Sequence, residues 1–297
     1  MTKSITDIIG NTPLVTLNHI NPNPKVNIYC KLEGHNPGGS VKDRAALFMV
    51  RNALKHNRIG PHDTLIEATS GNTGIALAMI AGIFHIHIEL VMPENSTRER
   101  VLTMQAYGAK VTLTPAERGM EGAIDYVNTK ITQKGFVKLD QFSNPDNPQA
   151  HYETTGPEIW RDTGGLVTHF VSAMGTTGTI MGTSRYLKEQ SPSVQIIGVQ
   201  PAENASIPGI RRWPEAYLPK IFDPGRVDRV MQVTTQQARE TTQLLAAREG
   251  IFSGMSSGGA VYTALQLSRE LEYGNLVCII CDRGDRYLSS DLFENRL

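Results

Sequence analysis

One lysine and four glycine-rich segments carry most of the chemistry this sequence can do. The segments are Gly38-Gly-Ser-Val-Lys-Asp-Arg44, Thr69-Ser-Gly-Asn-Thr-Gly74, Gly175-Thr-Thr-Gly-Thr179 and Gly254-Met-Ser-Ser-Gly-Gly259. Each stands at the start of an expected helix, where free backbone N–H groups and the helix dipole favour an anion. Capping and turning alone would account for any single one of them. Segment 175–179 is the best phosphate cradle, because it follows an apolar strand, His169 to Ala173, and its small residues let an anion approach the backbone. Neither G-x-x-x-x-G-K-[ST] nor G-x-G-x-x-G occurs in the chain. A phosphate held there therefore points to a cofactor rather than a nucleotide.

Lys42 stands at a helix start behind Ser40, and Ser40 and Asp43 are spaced as a capping pair. A cation in a first helical turn meets a field that opposes its charge, which is the condition a Schiff-base lysine requires. A solvated surface lysine is the competing reading. Arg211 and Arg212, beside Trp213 in a Pro-flanked loop, read by themselves as like charges that face solvent.

The elements that must position these residues alternate as short strand-like and longer helix-like runs, so the class is α/β with parallel sheets. The first run reads as strand 65–68, helix 72–84, strand 87–92, helix 98–107, strand 110–113 and helix 120–132. The second reads as helix 157–161, strand 169–173, helix 179–189, strand 194–199, strand 227–233, helix 235–249, helix 257–271 and strand 276–281. Between them Gln141 to Pro148 is polar and Pro-rich, as a connection between two lobes would be. Ligands of open α/β sheets bind beyond the carboxyl ends of strands, which favours the loops after Ala68 and Ala173.

At about 150 residues per domain, 297 residues make two domains. Lys+Arg 29 against Asp+Glu 29 leaves no net charge to grip a nucleic acid or an anionic membrane. No apolar run approaches the roughly 20 residues of a bilayer span, and Met1 to Asp7 has no apolar segment of the secretory kind. Three cysteines are too few for a disulfide framework, so a reducing compartment, the cytoplasm, is expected. Cys278 and Cys281 form C-x-x-C inside an expected buried strand, and His85 and His87 lack a completing ligand, so no metal is expected. Gly254-Met-Ser256-Ser-Gly258 imitates a hydrolase nucleophile elbow, but all eight histidines precede Ser256, so the triad order fails.

Taken together with Ile9-Gly-Asn-Thr-Pro-Leu14, the motifs Asn36-Pro-Gly-Gly-Ser-Val-Lys42-Asp-Arg44, Ser70-Gly-Asn-Thr-Gly74, Gly175 to Thr179 and Gly254 to Gly258 resemble the cysteine synthase family of fold type II pyridoxal phosphate enzymes. Asn144-Pro-Asp-Asn-Pro148, Ser206-Ile-Pro-Gly-Ile-Arg-Arg-Trp213 and Cys281-Asp-Arg-Gly-Asp-Arg-Tyr287 resemble its B-type branch, the O-acetylserine sulfhydrylase B kind. The likeness spans essentially the whole chain. It implies two three-layer α/β/α domains, residues 37–145 and residues 1–36 plus 146–297, with the active site in the cleft between them.

It also implies that pyridoxal 5'-phosphate is bound covalently by Lys42, which later moves the substrate's α-proton. Asn72 would meet the ring hydroxyl, and Gly175, Thr176, Thr177, Gly178 and Thr179 the phosphate. Ser256, with Ser257 as second claimant, would face the pyridine nitrogen, where a hydroxyl in place of an acid biases the chemistry toward β-elimination and replacement. Thr69, Ser70, Gly71, Thr73 and Gln141 would bind the substrate carboxylate, and Arg211 or Arg212 would admit an anionic sulfur donor. The implied reaction converts O-acetylserine and sulfide, or thiosulfate, to cysteine, or S-sulfocysteine, and acetate. A serine or threonine ammonia-lyase, a cystathionine β-synthase and a non-catalytic binding relative are the alternatives. Small-molecule substrates and a homodimer complete the expectation, with no nucleic acid and no membrane.

Overall fold

The computed structural model describes residues 2–69 and 71–294. In chain order they form β1 (Leu14–Thr16), β2 (Val26–Leu32), α1 (Lys42–Lys55), β3 (Thr64–Ala68), α2 (Asn72–Ile83), β4 (His87–Pro93), α3 (Arg98–Ala106), β5 (Lys110–Thr114), α4 (Gly119–Lys130) and β6 (Phe136–Val137). There follow α5 (Asp146–Ala150), α6 (Gly156–Asp162), β7 (His169–Ala173), α7 (Gly178–Gln190), β8 (Gln195–Pro201), β9 (Arg229–Val233), α8 (Thr235–Leu244), α9 (Met255–Glu270) and β10 (Gly274–Ile280).

Two sheets organise these elements. The smaller has the order β5-β4-β3-β6 and is parallel throughout; the larger has the order β1-β2-β10-β7-β8-β9 and is parallel except at β1. Successive strand residues point to opposite faces, and both faces are covered. In the larger sheet Val171, Ile197 and Cys278 enter one core with Ala260 and Val261 of α9. Their neighbours Phe170, Ile196 and Val277 enter another with Ile180 of α7. The smaller sheet splits in the same way, Leu65 and Leu90 packing with α1 and α2 while Ile66 and Val91 pack with α4. Two three-layer α/β/α units result. Helix α2 has almost no polar face, and Thr73 to Ala81 are all buried, because α1 and α3 flank it while the sheet lies beneath.

Residues 141–148 do more than connect. Gln141, Asn144 and Asn147 are buried, and α5 runs through a wider turn, His151–Thr155, into α6. The asparagines make burial possible by closing backbone hydrogen bonds: Asn144 Nδ2 donates to Leu139 O at 2.9 Å and Asn147 Nδ2 to Gln141 O at 2.7 Å. Three strand ends supply the functional loops: β3 runs into Thr69, β7 into Gly175, and β10 into Cys281 and Asp282. The Val41 N–H donates to Cys281 O at 2.8 Å, fixing the start of α1 against the end of β10. No helix among the described residues is long and apolar enough to cross a membrane.

Candidate active site

Lys42 is the first residue of α1 and is half-buried. Its charge is felt at two groups. One is His151, driven down to about 3 by burial with Arg44 and Lys42 adding to the effect. The other is Cys281, pushed up to about 11 by burial while Lys42 pulls the other way. His151 reaches Thr179 Oγ1 through Nε2 at 3.3 Å, and Cys281 has Ser256 as a hydrogen-bond partner. Lys42 therefore lies within electrostatic reach of His151, which touches Thr179, and of Cys281, which touches Ser256. The Ser40–Asp43 capping pair does not form. The Ser40 hydroxyl accepts from Lys42 N at 3.3 Å, but the Asp43 carboxylate turns away to accept from Gly38 N at 2.5 Å.

The 175–179 loop meets a test that a phosphate site sets. Thr177 takes a left-handed conformation with φ 72°, a strain of the kind found at ligand clamps. Its Oγ1 is buried without a hydrogen-bond partner among the described residues. A Cβ on Gly178 would collide with Asn147 Oδ1, and one on Gly175 would lie 2.8 Å from Gly209 O. Close packing against Asn147 and the Gly209 backbone thus requires glycine at both positions, and a helix of 13 residues begins at Gly178 with its free N–H groups. These residues fit the phosphate of pyridoxal phosphate.

Both serines meet Cys281: Ser257 Oγ accepts from its N–H at 3.0 Å, and Ser256, a partner of its thiol, packs under Gly209, whose Cβ would lie 3.3 Å from Ser256 Oγ. Asn72 is held on both sides. Its Nδ2 donates to Asp282 Oδ2 at 2.7 Å and its Oδ1 accepts from Arg286 Nη1 at 2.5 Å. An amide nitrogen carries two N–H groups, so one is left for a cofactor oxygen. Asp282 also accepts from Tyr287 OH at 2.6 Å and from Gly254 N at 3.2 Å, and Arg286 donates to Gly38 O. Sequence reasoning singled out the string 281–287 without assigning it this work; its signal was four charges directly after a buried strand.

On the substrate side, the Thr69 hydroxyl accepts from Gly71 N at 3.2 Å and Gly74 N at 3.0 Å, shaping the start of α2. Thr73 Oγ1 donates to Gln141 Oε1 at 2.7 Å, so these two expected neighbours meet. Ser70 lies outside the described residues. The two arginines separate: Arg212 is exposed, while Arg211 is half-buried with its guanidinium 5.2 Å from the centre of the Trp213 ring. Trp213 Nε1 donates to Gly175 O at 2.8 Å, tying that loop to the phosphate cradle.

A buried ion cluster behind Lys42 was not foreseen. Arg44 donates to Glu33 through Nε and Nη2, both at 2.7 Å, and to Glu158 through Nη1 at 2.6 Å and Nη2 at 2.7 Å. Lys31 Nζ joins Glu158 at 2.8 Å. Charged residues in a sequence read as surface, and only their three-dimensional pairing reveals burial. Cys30 and Cys278 are buried free thiols. No group of three or more His, Cys, Asp or Glu that could hold a metal occurs among the described residues.

The family model of pyridoxal-phosphate dependent enzymes matches residues 5–282. The chain is 59% identical over 294 residues to cysteine synthase B of Pseudomonas aeruginosa, covering 99% of this chain and 98% of that protein. To cysteine synthase B of Escherichia coli it is 56% identical over 292 residues, 98% and 96% of the two chains. Among solved structures, cysteine synthase from Entamoeba histolytica matches with a TM-score of 0.92 at 38% identity, over 99% of this chain and 91% of that one.

Proposed function

We infer the activity from membership: this chain belongs to the pyridoxal-phosphate dependent enzyme family and, within it, to the cysteine synthases of the B type. Its reaction replaces the acetate of O-acetyl-L-serine by sulfide, giving L-cysteine and acetate. When bound, pyridoxal phosphate supplies the carbonyl that captures the substrate amine and the conjugated ring that accepts electrons from the α-carbon.

The residues divide the remaining work. Lys42 Nζ, at the first residue of α1, holds the cofactor at rest and moves the α-proton. Gly175, Thr176, Thr177, Gly178 and Thr179 hold the phosphate, and Ser256 offers the pyridine nitrogen a neutral hydroxyl. Asn72 orients the ring by the N–H that Asp282 leaves free. Thr69, Ser70, Gly71 and Thr73 receive the substrate carboxylate at the start of α2, with Gln141 closing over it from the segment 141–148. The observation that supports this division is the 175–179 loop at the start of α7, where Thr177 is held at φ 72° with its Oγ1 buried and without a hydrogen-bond partner among the described residues.

Thiosulfate is the finer proposal. Arg211 is the better candidate to admit it, because its neighbour Trp213 is anchored on Gly175 O, while Arg212 points to solvent. Assays of O-acetylserine with sulfide, with thiosulfate and with neither are the test. Cysteine with sulfide and S-sulfocysteine with thiosulfate are expected; pyruvate alone in every arm would make the protein a lyase. Arg211→Ala is expected to lower the thiosulfate rate relative to the sulfide rate, and an unchanged ratio in both Arg211→Ala and Arg212→Ala would remove the arginines from that role. The lobe limits 37–145 and 1–36 plus 146–297, a homodimeric assembly and a cytoplasmic setting belong to the same proposal; light scattering of the purified protein reads the assembly directly.

A further inference from the structure

Glu67 is buried near the end of β3, two residues before Thr69, and has no part in the work divided above. A carboxyl so deep must have its oxygens satisfied, and backbone amides do it. Strand β6 pairs with β3 at Thr64 and Leu65 and ends at Val137. As the chain leaves the sheet, Glu67 Oε2 accepts from Asp140 N at 3.2 Å, with the Leu139 N–H as a further donor. Burial pushes the carboxyl up to about 7, with Asp140 adding to the rise and Lys138 and the two N–H groups opposing it. A carboxyl accepts a hydrogen bond in either protonation state, so the side chain offers that segment reach more than charge.

Asp140 is the point that needs holding. Its φ is 54°, left-handed backbone that is uncommon outside glycine and clusters at ligand clamps. Its own carboxylate serves the residues that follow, Oδ1 accepting from Phe142 N at 3.4 Å and Oδ2 from Ser143 Oγ at 2.6 Å, while its N–H depends on Glu67. Directly after it, Gln141 Oε1 accepts from Thr73 Oγ1 at 2.7 Å, which leaves the Gln141 Nε2 N–H groups to offer a carboxylate. Gly74, next to Thr73, donates its N–H to Thr69 Oγ1 at 3.0 Å. Hydrogen bonds and chain together close a ring through Glu67, Asp140, Gln141, Thr73, Gly74 and Thr69. We propose that Glu67 is a positioning residue for substrate binding: it holds the turn at Asp140 so that Gln141 meets Thr73 with its amide set for the substrate's carboxylate. This rests on the assignment of Thr73 and Gln141 to that carboxylate.

Two variants of the holoenzyme separate reach from charge. Glu67→Gln keeps the length and an acceptor oxygen and loses the charge; Glu67→Asp keeps the charge and is one methylene too short. KM for O-acetylserine is expected to rise at least about tenfold in Glu67→Asp and to stay within about threefold of the parent in Glu67→Gln. The turnover number at saturating substrate and the cofactor absorbance without substrate are expected to be unchanged in both. Amide hydrogen exchange, which needs no turnover, is expected to quicken at Leu139 and Asp140 in Glu67→Asp and not in Glu67→Gln, while Ile66 and Leu90 of the sheet stay protected in both. A parent protein that forms no cysteine would tell against the proposed reaction, whereas the exchange pattern reads the hold of Glu67 by itself. Parent-like KM and exchange in Glu67→Asp, an equal rise of KM or faster exchange in Glu67→Gln, or a loss confined to the turnover number would overturn the positioning role alone.

Discussion

Two consecutive residues of α1, directly after Lys42, send charged side chains into two different interiors. Arg44 enters a cluster in which every charge has a partner. Burial alone would raise Glu33 and Glu158, yet Arg44, helped at Glu158 by Lys31, holds Glu33 below its ordinary value and Glu158 at about 2. Asp43 enters the other side, where its Oδ2 accepts from Gly38 N but Oδ1 is buried with no hydrogen-bond partner among the described residues. There burial prevails over Gly38 and Arg286 and pushes the carboxyl up to about 7. Equal burial with unequal pairing gives opposite outcomes: one neighbour of Lys42 is a fixed anchor, the other a group that changes charge near neutral pH.

The largest effect belongs to the anchor. Arg44→Ala leaves Glu33 and Glu158 buried without their cation and is expected to cost about 3–5 kcal/mol in urea unfolding. Arg44→Lys is expected to recover only part, because one ammonium cannot make both forked contacts. Loss near zero for Arg44→Ala would break the contrast.

Next comes the pH dependence, which has opposite sign on the two sides. Glu158, depressed to about 2, contributes stability that is present above its unfolded value near 4.5 and is lost as pH falls through about 2. Asp43, raised to about 7, makes the native state bind more protons than the unfolded chain, so stability declines as pH rises from about 4 to about 7. Asp43→Asn removes that decline, and its gain, about 1–3 kcal/mol, is expected to grow over the same interval and level off above it. A gain that stays constant from pH 4 to 8 would show that Asp43 does not titrate there.

The smallest effect sharpens the comparison from outside. The exposed pair Arg229–Glu270, 2.7 Å apart, has geometry as good as that of the buried pairs. Arg229→Ala is nevertheless expected to change stability by less than about 1 kcal/mol, because solvent screens both charges.

Much of this molecule was legible in its sequence. The alternation of apolar runs gave both sheets and most crossover helices, because a doubly covered strand such as β7 has no polar face to confuse it. The strands β1, β2 and β6 escaped: β2 carries Lys31 and alternates polar with apolar residues, and β6 is two residues long. The loop 175–179 and Lys42 stand out through glycine and hydroxyl residues at helix starts, local signals that need no partner. The segment 141–148 misled, since Asn144 and Asn147 look like linker residues until their bonds to Leu139 and Gln141 are seen. The grip of Asp282 and Arg286 on Asn72 joins residues more than 200 positions apart, and no spacing rule reaches that far.

The most direct measurement is reductive trapping of the holoenzyme with borohydride, followed by digestion and mass spectrometry of the labelled peptide. The label is expected on Lys42 alone. A label on another lysine, or none on a protein that is yellow before reduction, would contradict the placement of the cofactor between Ser256 and the 175–179 loop.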